Sequence, residues 1–224
     1  MSALFAGASW SDVADWVGEL WLGFIISLRV TFFSLLFGLP FGLALALGVQ
    51  AKLKAVRWAS LAIVEVGRGA PALVLLQFIY FGLPSIKLPI TSFMSAVVAL
   101  GWCTGAYTSE IIRAGLDAVP FGQKEAAAAI GLSGLDAMRF VVLPQGLRVS
   151  LPPLFSFAIL MLQASSLCFA IALPELVSQA YVIGSNTFRY MSIFVLAGLL
   201  YAAICIPATL VVSMLERRLA RHTV

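Results

Sequence analysis

Ionisable side chains lie inside stretches of this chain that are otherwise apolar, and their chemistry needs an explanation. Glu65 and Arg68 are three residues apart, which places them about one helical turn from each other. A charge at the middle of a bilayer costs about 2.5–3.5 kcal/mol on insertion scales, so such groups need a partner or water. We expect Glu65 and Arg68 either to form an ion pair that holds helices together or to face a ligand or a gate.

A second polar group follows further along the chain. Tyr107 and Glu110 are predicted to share one helix face, and Arg113 lies one turn beyond them. Glu110 and Arg113 could pair with neighbouring helices, or Tyr107 and Glu110 could line a path for a polar solute. Gln163 and Ser166 are also one turn apart, and their uncharged groups could hydrogen-bond a zwitterion or a neighbouring helix.

None of these groups has the spacing of a catalytic or metal site. No nucleophile–base set is visible, and the single histidine, His222, lies in the C-terminal tail. Cys103, Cys168 and Cys205 are far apart in apolar surroundings, which indicates small core residues rather than metal ligands. We therefore expect no catalytic residue, no metal and no cofactor in this chain, and a membrane-embedded enzyme is the disfavoured alternative.

Two further classes are excluded by motifs and composition. The sequence lacks the G-x-x-x-x-G-K-[ST] loop that cradles nucleotide phosphates, and no basic run interleaved with aromatics points to nucleic acid. Hydrophobic residues make up 62% of the chain, charged residues only 11%, and the mean hydropathy is +1.04. Soluble domains carry about 25% charged residues, so most of this chain must contact lipid.

The polar groups must be positioned by membrane helices. We predict an all-α, polytopic membrane protein, a single transmembrane domain over residues 1–224 with about five spans. The N-terminus lacks the early basic residues of a cleavable signal peptide, so the first span is expected to be an uncleaved anchor. The predicted spans are about Leu20–Val49, Trp58–Leu83, Phe93–Leu116, Val149–Leu173 and Met191–Met214.

Glycine and proline interrupt these spans. The first span is long, so residues 17–28 are expected to lie at the membrane interface before the chain turns into the bilayer. Gly67, Gly69 and Pro71 predict a break in the second span. A backbone freed by proline must be satisfied by neighbouring helices or by water, which favours tight packing or a water path.

Basic residues predict the orientation of the chain. They cluster in regions that fall on one side if five spans alternate, and the positive-inside rule places that side in the cytoplasm. The N-terminus is then periplasmic and the C-terminus cytoplasmic. The cytoplasmic set is Lys52, Lys54, Arg57, Arg113, Lys124, Arg139, Arg148, Arg217, Arg218 and Arg221.

Residues 117–147, between the third and fourth spans, carry a short pattern that predicts ordered structure in water. Residues 123–130 are rich in alanine, the best helix former, and Gly131 is suited to end that helix. Ser133 is positioned to begin a second short helix, residues 135–142, which Pro144 should stop. We expect this segment to be a docking element for a soluble partner, although an ordinary amphipathic loop is the plainer alternative.

The same segment resembles the EAA loop of the permease subunits of ABC importers. The matching positions are Glu125-Ala126-Ala127, Gly131, Val141 and Leu143-Pro144. Two more elements resemble the polar amino acid branch of that family. They are Arg68-Gly69-Ala70-Pro71, followed by Gln77 to Pro84, and the run Ala106 to Gly115.

The resemblance implies the partners and the roles of several residues. It implies a permease in the inner membrane, paired with a second permease, two ATPase subunits that carry ATP and Mg, and a periplasmic binding protein that delivers a small polar substrate. The ATPase-coupling residues would be Glu125, Ala126, Ala127, Gly131 and Leu132. The path candidates are Glu65, Arg68, Gln77, Tyr107, Glu110, Gln163, Ser165 and Ser166, and the outer-mouth candidates are Glu175 and Gln179.

One departure from the family pattern affects the substrate. Many relatives carry Lys-Asp-[Ser/Thr]-Ser-Leu in the fourth span, whereas this chain has Ala164 at the acidic position. That loss argues against a contact from this chain to a cationic substrate, and it favours a non-identical second permease over an identical copy. Import of an ectoine-like compatible solute or an opine stays open, and an ATP-independent channel or carrier is the alternative from another class.

Overall fold

A computed structural model describes the backbone of residues 10–220 and the side chains of residues 12–217. Every regular element in this part of the chain is helical, which confirms the all-α class. The α-helices are α1 Trp10–Val49, α2 Lys54–Gly69, α3 Ala72–Ser85, α4 Ser92–Asp117, α5 Phe121–Ala129, α6 Gly134–Ala137, α7 Leu143–Ala164, α8 Leu176–Thr187 and α9 Tyr190–Ala220. A π-helical segment, Met138–Val142, precedes α7, and a 3₁₀ segment, Ser165–Ile171, follows it.

Within the described residues, 3 helical stretches are long and apolar enough to cross a membrane: Asp12–Val49, Gly134–Ile171 and Tyr190–Arg217. The pair α2 and α3 gives a fourth if the two count as one sharply bent span. The third predicted span is the 26-residue helix α4, which is not among these stretches. Helix α4 buries Ser95, Thr104 and Thr108, and such polar residues lower the mean hydropathy of the helix while they pack against protein. The count of about five spans stays a prediction.

The first span is one unbroken helix of 40 residues, so the turn expected after residues 17–28 was wrong. At 1.5 Å per residue its length is about 60 Å, twice the roughly 30 Å of a hydrocarbon core. Leu20 and Phe24 are fully buried in this early part, so packing against the protein stabilises its helical conformation. The interfacial position of residues 17–28 stays a prediction.

Only one of the glycine and proline signals in the predicted spans ends a helix, because Pro40, Pro152, Pro153 and Pro207 lie inside α1, α7 and α9. The predicted interruption of the second span is confirmed, because α2 ends at Gly69 and α3 begins at Ala72 with Pro71 as its N-cap. The fourth span also changes near its end, where α7 tightens into the 3₁₀ segment and Ala172 adopts a left-handed conformation with φ of 54°. The 3₁₀ segment packs against α3 and α8.

The described chain forms two compact units. The first unit contains residues 10–35, 71–101 and 159–209, and the second contains residues 36–70, 102–158 and 210–220. Because α1, α4, α7 and α9 contribute residues to both, the units are not consecutive domains of the sequence. The single transmembrane domain therefore stays a prediction.

Each unit has its own hydrophobic core. In the first unit the core joins α1, α8 and α9, with Leu20, Phe24, Leu176 and Ile193 fully buried. In the second unit a smaller cluster joins the end of α1 to both ends of the 117–147 segment. Its buried members are Ala46, Ile112, Leu116, Val119 and Val142.

Candidate functional sites

Helix α5 carries the Glu-Ala-Ala run and ends as the sequence predicts. Gly131 has φ of +81°, a left-handed conformation that glycine adopts at little cost. Its N–H bonds to the carbonyl of Ala128 at 3.0 Å, and the N–H of Leu132 bonds to the carbonyl of Ala127 at 3.1 Å. These two bonds form a Schellman motif, so the end of α5 is fixed in the backbone.

The next turn begins at Ser133, also as predicted. The Ser133 hydroxyl accepts a bond from the N–H of Asp136 at 3.2 Å and donates to the Asp136 carboxylate at 2.6 Å. The stop expected at Pro144 was wrong, because residues 138–142 form a π-helical segment that continues into α7. A π turn changes the hydrogen-bond register just before the proline, so its missing N–H does not end the helix.

The residues predicted to couple to an ATPase differ in exposure. Glu125, Ala126 and Gly131 are exposed, Leu132 is half-buried, and Ala127 is 3% exposed because it packs inward. Large apolar residues of the 117–147 segment are also exposed, and the sequence analysis did not single them out. Their presence in a segment expected to face water could have indicated a contact surface. They are Phe121 at 70% exposed, Ile130 at 78%, Leu135 at 84% and Phe140 at 62%.

The base of the segment is held by close contact between α4 and α7. A side chain at Gly115 would meet the Gly146 carbonyl at 2.5 Å, and one at Gly146 would meet the Leu116 Cα at 2.9 Å. The Ser150 hydroxyl also donates to the Ile111 carbonyl at 3.3 Å. The two helices that flank the segment therefore cannot separate easily at this point.

The charged residues of α2 and α4 form a network that differs from the predicted one. Arg68 pairs with Glu110 at 3.8 Å rather than with Glu65, which is exposed. Arg113 binds both carboxylate oxygens of Glu110 and pairs with Asp117 at 3.3 Å, so Glu110 lies between two cations. Only packing decided this, because the sequence does not show which helices meet.

Tyr107 ties the end of α2 to α4. Its hydroxyl donates to the backbone carbonyl of Arg68 at 3.4 Å, and its ring lies 6.0 Å below the Arg68 guanidinium. The ring also stacks on Phe157 at 5.8 Å. The indole N–H of Trp102 donates to the Ile63 carbonyl at 3.1 Å, so α2 is attached to α4 at two levels.

The residues of the first unit that were predicted to line the substrate path differ in their solvent exposure. Gln77 of α3 and Gln163 of α7 are exposed, whereas Ser165 is fully buried. The Ser165 hydroxyl donates to the Leu162 carbonyl at 2.6 Å and lies 3.5 Å from the Tyr201 hydroxyl. The Ser166 hydroxyl donates to the Gln163 carbonyl at 2.7 Å. Gln77 and Gln163 therefore expose their amides, whereas the two serine hydroxyls bond to carbonyls of their own helical segment. The path role of all four residues stays a prediction.

Glu175 has a structural environment. It is fully buried at the N-cap of α8, where its carboxylate accepts bonds from the N–H groups of Val177 at 2.9 Å and Ser178 at 2.8 Å and from the Ser27 hydroxyl at 3.4 Å. Burial raises the pKa of Glu175 to about 7, although these hydrogen bonds oppose the shift. The outer-mouth role stays a prediction, and the geometry of Glu175 favours a capping role.

Gln179 is half-buried one turn after Glu175, where α8 crosses α1 closely. A side chain at Gly23 would meet Cγ of Gln179 at 2.7 Å and the backbone of Glu175 at 3.0 Å. Glycine at position 23 therefore permits this crossing.

A family model of the binding-protein-dependent transport system inner membrane component matches residues 38–221 of the chain. The chain is 36% identical over 196 residues to the probable amino-acid ABC transporter permease protein YckA of Bacillus subtilis, covering 88% of this chain and 87% of that protein. It is 37% identical over 201 residues to the L-cystine transport system permease protein TcyB of the same organism, covering 89% and 86%. A crystal structure of an amino acid ABC transporter with histidines matches with a TM-score of 0.88 and 34% identity, covering 94% of this chain and 99% of that one.

Proposed function

This chain belongs to the family of binding-protein-dependent transport system inner membrane components, and on that basis we propose that it is the permease subunit of an ATP-driven importer for a polar amino acid. The proposal follows the amino-acid permeases and the transporter structure that it resembles over most of its length. Related zwitterions, such as a compatible solute or an opine, are the alternative substrates. ATP and Mg are bound by separate ATPase subunits, and a periplasmic protein delivers the substrate.

The observation that carries the proposal is that helix α5 is exposed and that a Schellman motif fixes its C-terminal end. Its surface combines the Glu125 carboxylate with exposed Phe121 and Ile130, a mixture that suits a protein partner rather than lipid. The Schellman motif at Gly131 fixes the angle between α5 and α6. A push from an ATPase on α5 would therefore move the segment as one body.

Contacts inside the second unit can pass that movement to the helices. Gln145 of α7 donates to the Gln123 side chain of α5 at 3.3 Å. The crossing at Gly115 and Gly146 makes α4 and α7 move together, and Glu110 connects α4 to Arg68 of α2. The proposed mechanism is alternating access, in which ATP binding rocks these helices and hydrolysis resets them. Rearrangement of the Arg68–Glu110 pair would accompany opening toward the cytoplasm.

The proposed orientation places the N-terminus in the periplasm and the C-terminus in the cytoplasm. It is supported by Ala46, Val119 and Val142, which form one cluster and so place the end of α1 at the same level as both ends of the 117–147 segment. The basic loop after α1 then lies on the side of that segment. Arg221 and His222 and the side chain of Arg218 lie outside the described residues.

The assembly would contain a second permease, and a non-identical one is favoured. Ala164 stands at the acidic position of the family pattern described above, and the exposed path candidates Gln77 and Gln163 are uncharged. A subunit that has lost its own charged site can work beside a partner that keeps one. An ATP-independent channel or carrier would need no ATPase, so isolation of the chain without one would favour that alternative.

The test is a charge reversal on α5, Glu125→Arg, with Glu19→Arg as the matched control on an exposed carboxylate of α1. Loss of a charge-paired contact at an interface costs about 2–5 kcal/mol, so uptake and ATPase co-purification should fall by at least about tenfold. Glu19→Arg should keep both. Normal uptake and normal ATPase recovery with Glu125→Arg would contradict the proposed docking.

A further inference from the structure

A basic patch follows α1, consisting of Lys52, Leu53, Lys54, Arg57 and Trp58. All five side chains are exposed, and Leu53 and Trp58 are each 64% exposed. Large apolar and cationic side chains lie side by side in this short stretch without protein covering them. This composition is typical of a surface that meets the boundary between lipid headgroups and acyl chains.

The positive charge of the patch is not neutralised within the described part of the chain. No acidic residue occurs between Glu19 and Glu65 in the sequence. Among residues 12–217, the ion pairs of the structure include none with Lys52, Lys54 or Arg57. An anion from outside the chain is the complementary partner.

Helix α2 presents this patch on an amphipathic element. Its buried residues are Ser60, Val64 and Gly67, which recur at helical spacing and define one packed face. Lys54 and Trp58, at the start of α2, lie outside that face. The patch is therefore directed away from the protein while the other side of α2 fixes its position.

Contacts in the second unit locate the patch. A side chain at Gly48 would meet Cβ of Ser60 at 3.2 Å, so the end of α1 lies against the start of α2. Ala46, at the end of α1, packs in the cluster with Val119 and Val142 at the base of the 117–147 segment. The basic patch therefore lies at the level where that segment leaves the helices.

We propose that the basic patch binds the headgroup of an anionic phospholipid, with Leu53 and Trp58 inserted at the interface. Lys52, Lys54 and Arg57 contact the phosphate, and the indole sits at the depth that tryptophan prefers. The lipid fixes the depth of the α1–α2 connection while the neighbouring segment moves. This binding does not depend on which solute is transported.

The test uses the assembled transporter in nanodiscs of phosphatidylcholine and phosphatidylglycerol at a ratio of about 3:1, so that anionic lipid is present but not in excess. Phosphatidylglycerol retained after detergent extraction is quantified by mass spectrometry for the wild type, for Lys52→Gln/Lys54→Gln/Arg57→Gln and for Lys87→Gln. Each basic residue contributes about fivefold to affinity for an anionic surface, so the triple variant should retain at least about tenfold less. Lys87→Gln, which removes an exposed charge elsewhere, should behave as the wild type.

Two further measurements distinguish lipid binding from the binding of free phosphate and from a role in subunit assembly. Inorganic phosphate added to nanodiscs of phosphatidylcholine alone should not raise the melting temperature, whereas including phosphatidylglycerol should raise it for the wild type and not for the triple variant. Equal lipid retention by all three proteins would overturn the proposal. So would stabilisation by free phosphate alone, or loss of ATPase subunits from the triple variant with unchanged lipid retention.

Discussion

Individual residues in this chain take their roles from partners that are distant in the sequence. Arg68 and Glu65 have suitable spacing for a pair, yet Arg68 contacts Glu110 of α4 and accepts a hydrogen bond from Tyr107 through its carbonyl. An i,i+3 pair on an exposed helix contributes only about 0.2–0.5 kcal/mol, so a modest packing preference is enough to change the partner. The residue types therefore predicted that ion pairs would form, whereas the spacing in the sequence did not predict which residues would pair.

The partners of the buried Glu175 were also not evident from the sequence. The sequence suggested a role at the outer mouth, which stays a prediction, and did not show that the carboxylate caps α8 and accepts a hydrogen bond from the Ser27 hydroxyl of α1. The residue joins the two helices where Gly23 lets them touch. Its protonation state is then coupled to the stability of the first unit.

The first prediction concerns Glu175→Gln and pH. The pKa of Glu175 is raised from 4.5 to about 7, so between these values the folded state binds more protons than the unfolded state. The stabilisation is fully present below the unfolded pKa and is lost as pH rises through about 7. One pKa unit corresponds to about 1.4 kcal/mol, so the loss is at most on the order of 3 kcal/mol.

The measurement is the melting temperature of the purified transporter between about pH 5 and about pH 8, a range that brackets the raised pKa. The wild type should lose stability across this range, and Glu175→Gln should flatten the profile because glutamine does not titrate. Glu19→Gln, on an exposed carboxylate, should keep the wild-type slope. Identical slopes for the wild type and Glu175→Gln would show that the buried carboxylate does not titrate in this range.

At the scale of elements, the short helices of the 117–147 segment were predicted more accurately than the long ones. Alanine propensity, the glycine at position 131 and the serine cap at position 133 act locally, and each has the predicted geometry. Pro144 was misjudged because the preceding π-helical segment shifts the hydrogen-bond register. The continuity of α1 was missed because its early turns are stabilised by buried Leu20 and Phe24.

The second prediction tests the end of α5. Gly131→Ala places a side chain at φ of +81°, which costs roughly 1–2 kcal/mol, whereas asparagine tolerates this conformation better. Uptake should fall with Gly131→Ala and recover partly with Gly131→Asn. Amide exchange in α5 should become faster in the alanine variant for the same reason.

Gly134→Ala is the matched control for this comparison. No atom lies within 4 Å of the added carbon at Gly134, and its backbone does not have a positive φ. Uptake and exchange should therefore stay at wild-type values. If Gly131→Ala and Gly131→Asn were equally active and as protected as Gly134→Ala, the left-handed cap would have no part in coupling.

At the scale of the whole molecule, the positions of the helices do not determine which side of the membrane each loop faces. Charge distribution predicts that Lys87 is periplasmic and that Gly122 is cytoplasmic. Both residues are exposed, and the native cysteines at positions 103, 168 and 205 are buried, so their background reactivity should be low.

The third prediction follows from this difference. In intact cells, a membrane-impermeant maleimide should label Lys87→Cys, and it should label Gly122→Cys only after permeabilisation. Labelling of Gly122→Cys in intact cells would reverse the proposed topology and place α5 out of reach of an ATPase. The unchanged chain, tested in parallel, measures any reaction of the native cysteines.

The sequence by itself determined the helical membrane class, the break at Pro71, the end of α5 at Gly131 and the helix start at Ser133. Composition, alanine propensity and glycine at a left-handed turn act over a few residues, so no neighbouring helix is needed to interpret them. Only the tertiary structure decided that Glu110 joins Arg68, that Glu175 is buried and that α4 and α7 meet at Gly115. Those outcomes depend on which helix faces come together, which is a property of packing between residues distant in the chain.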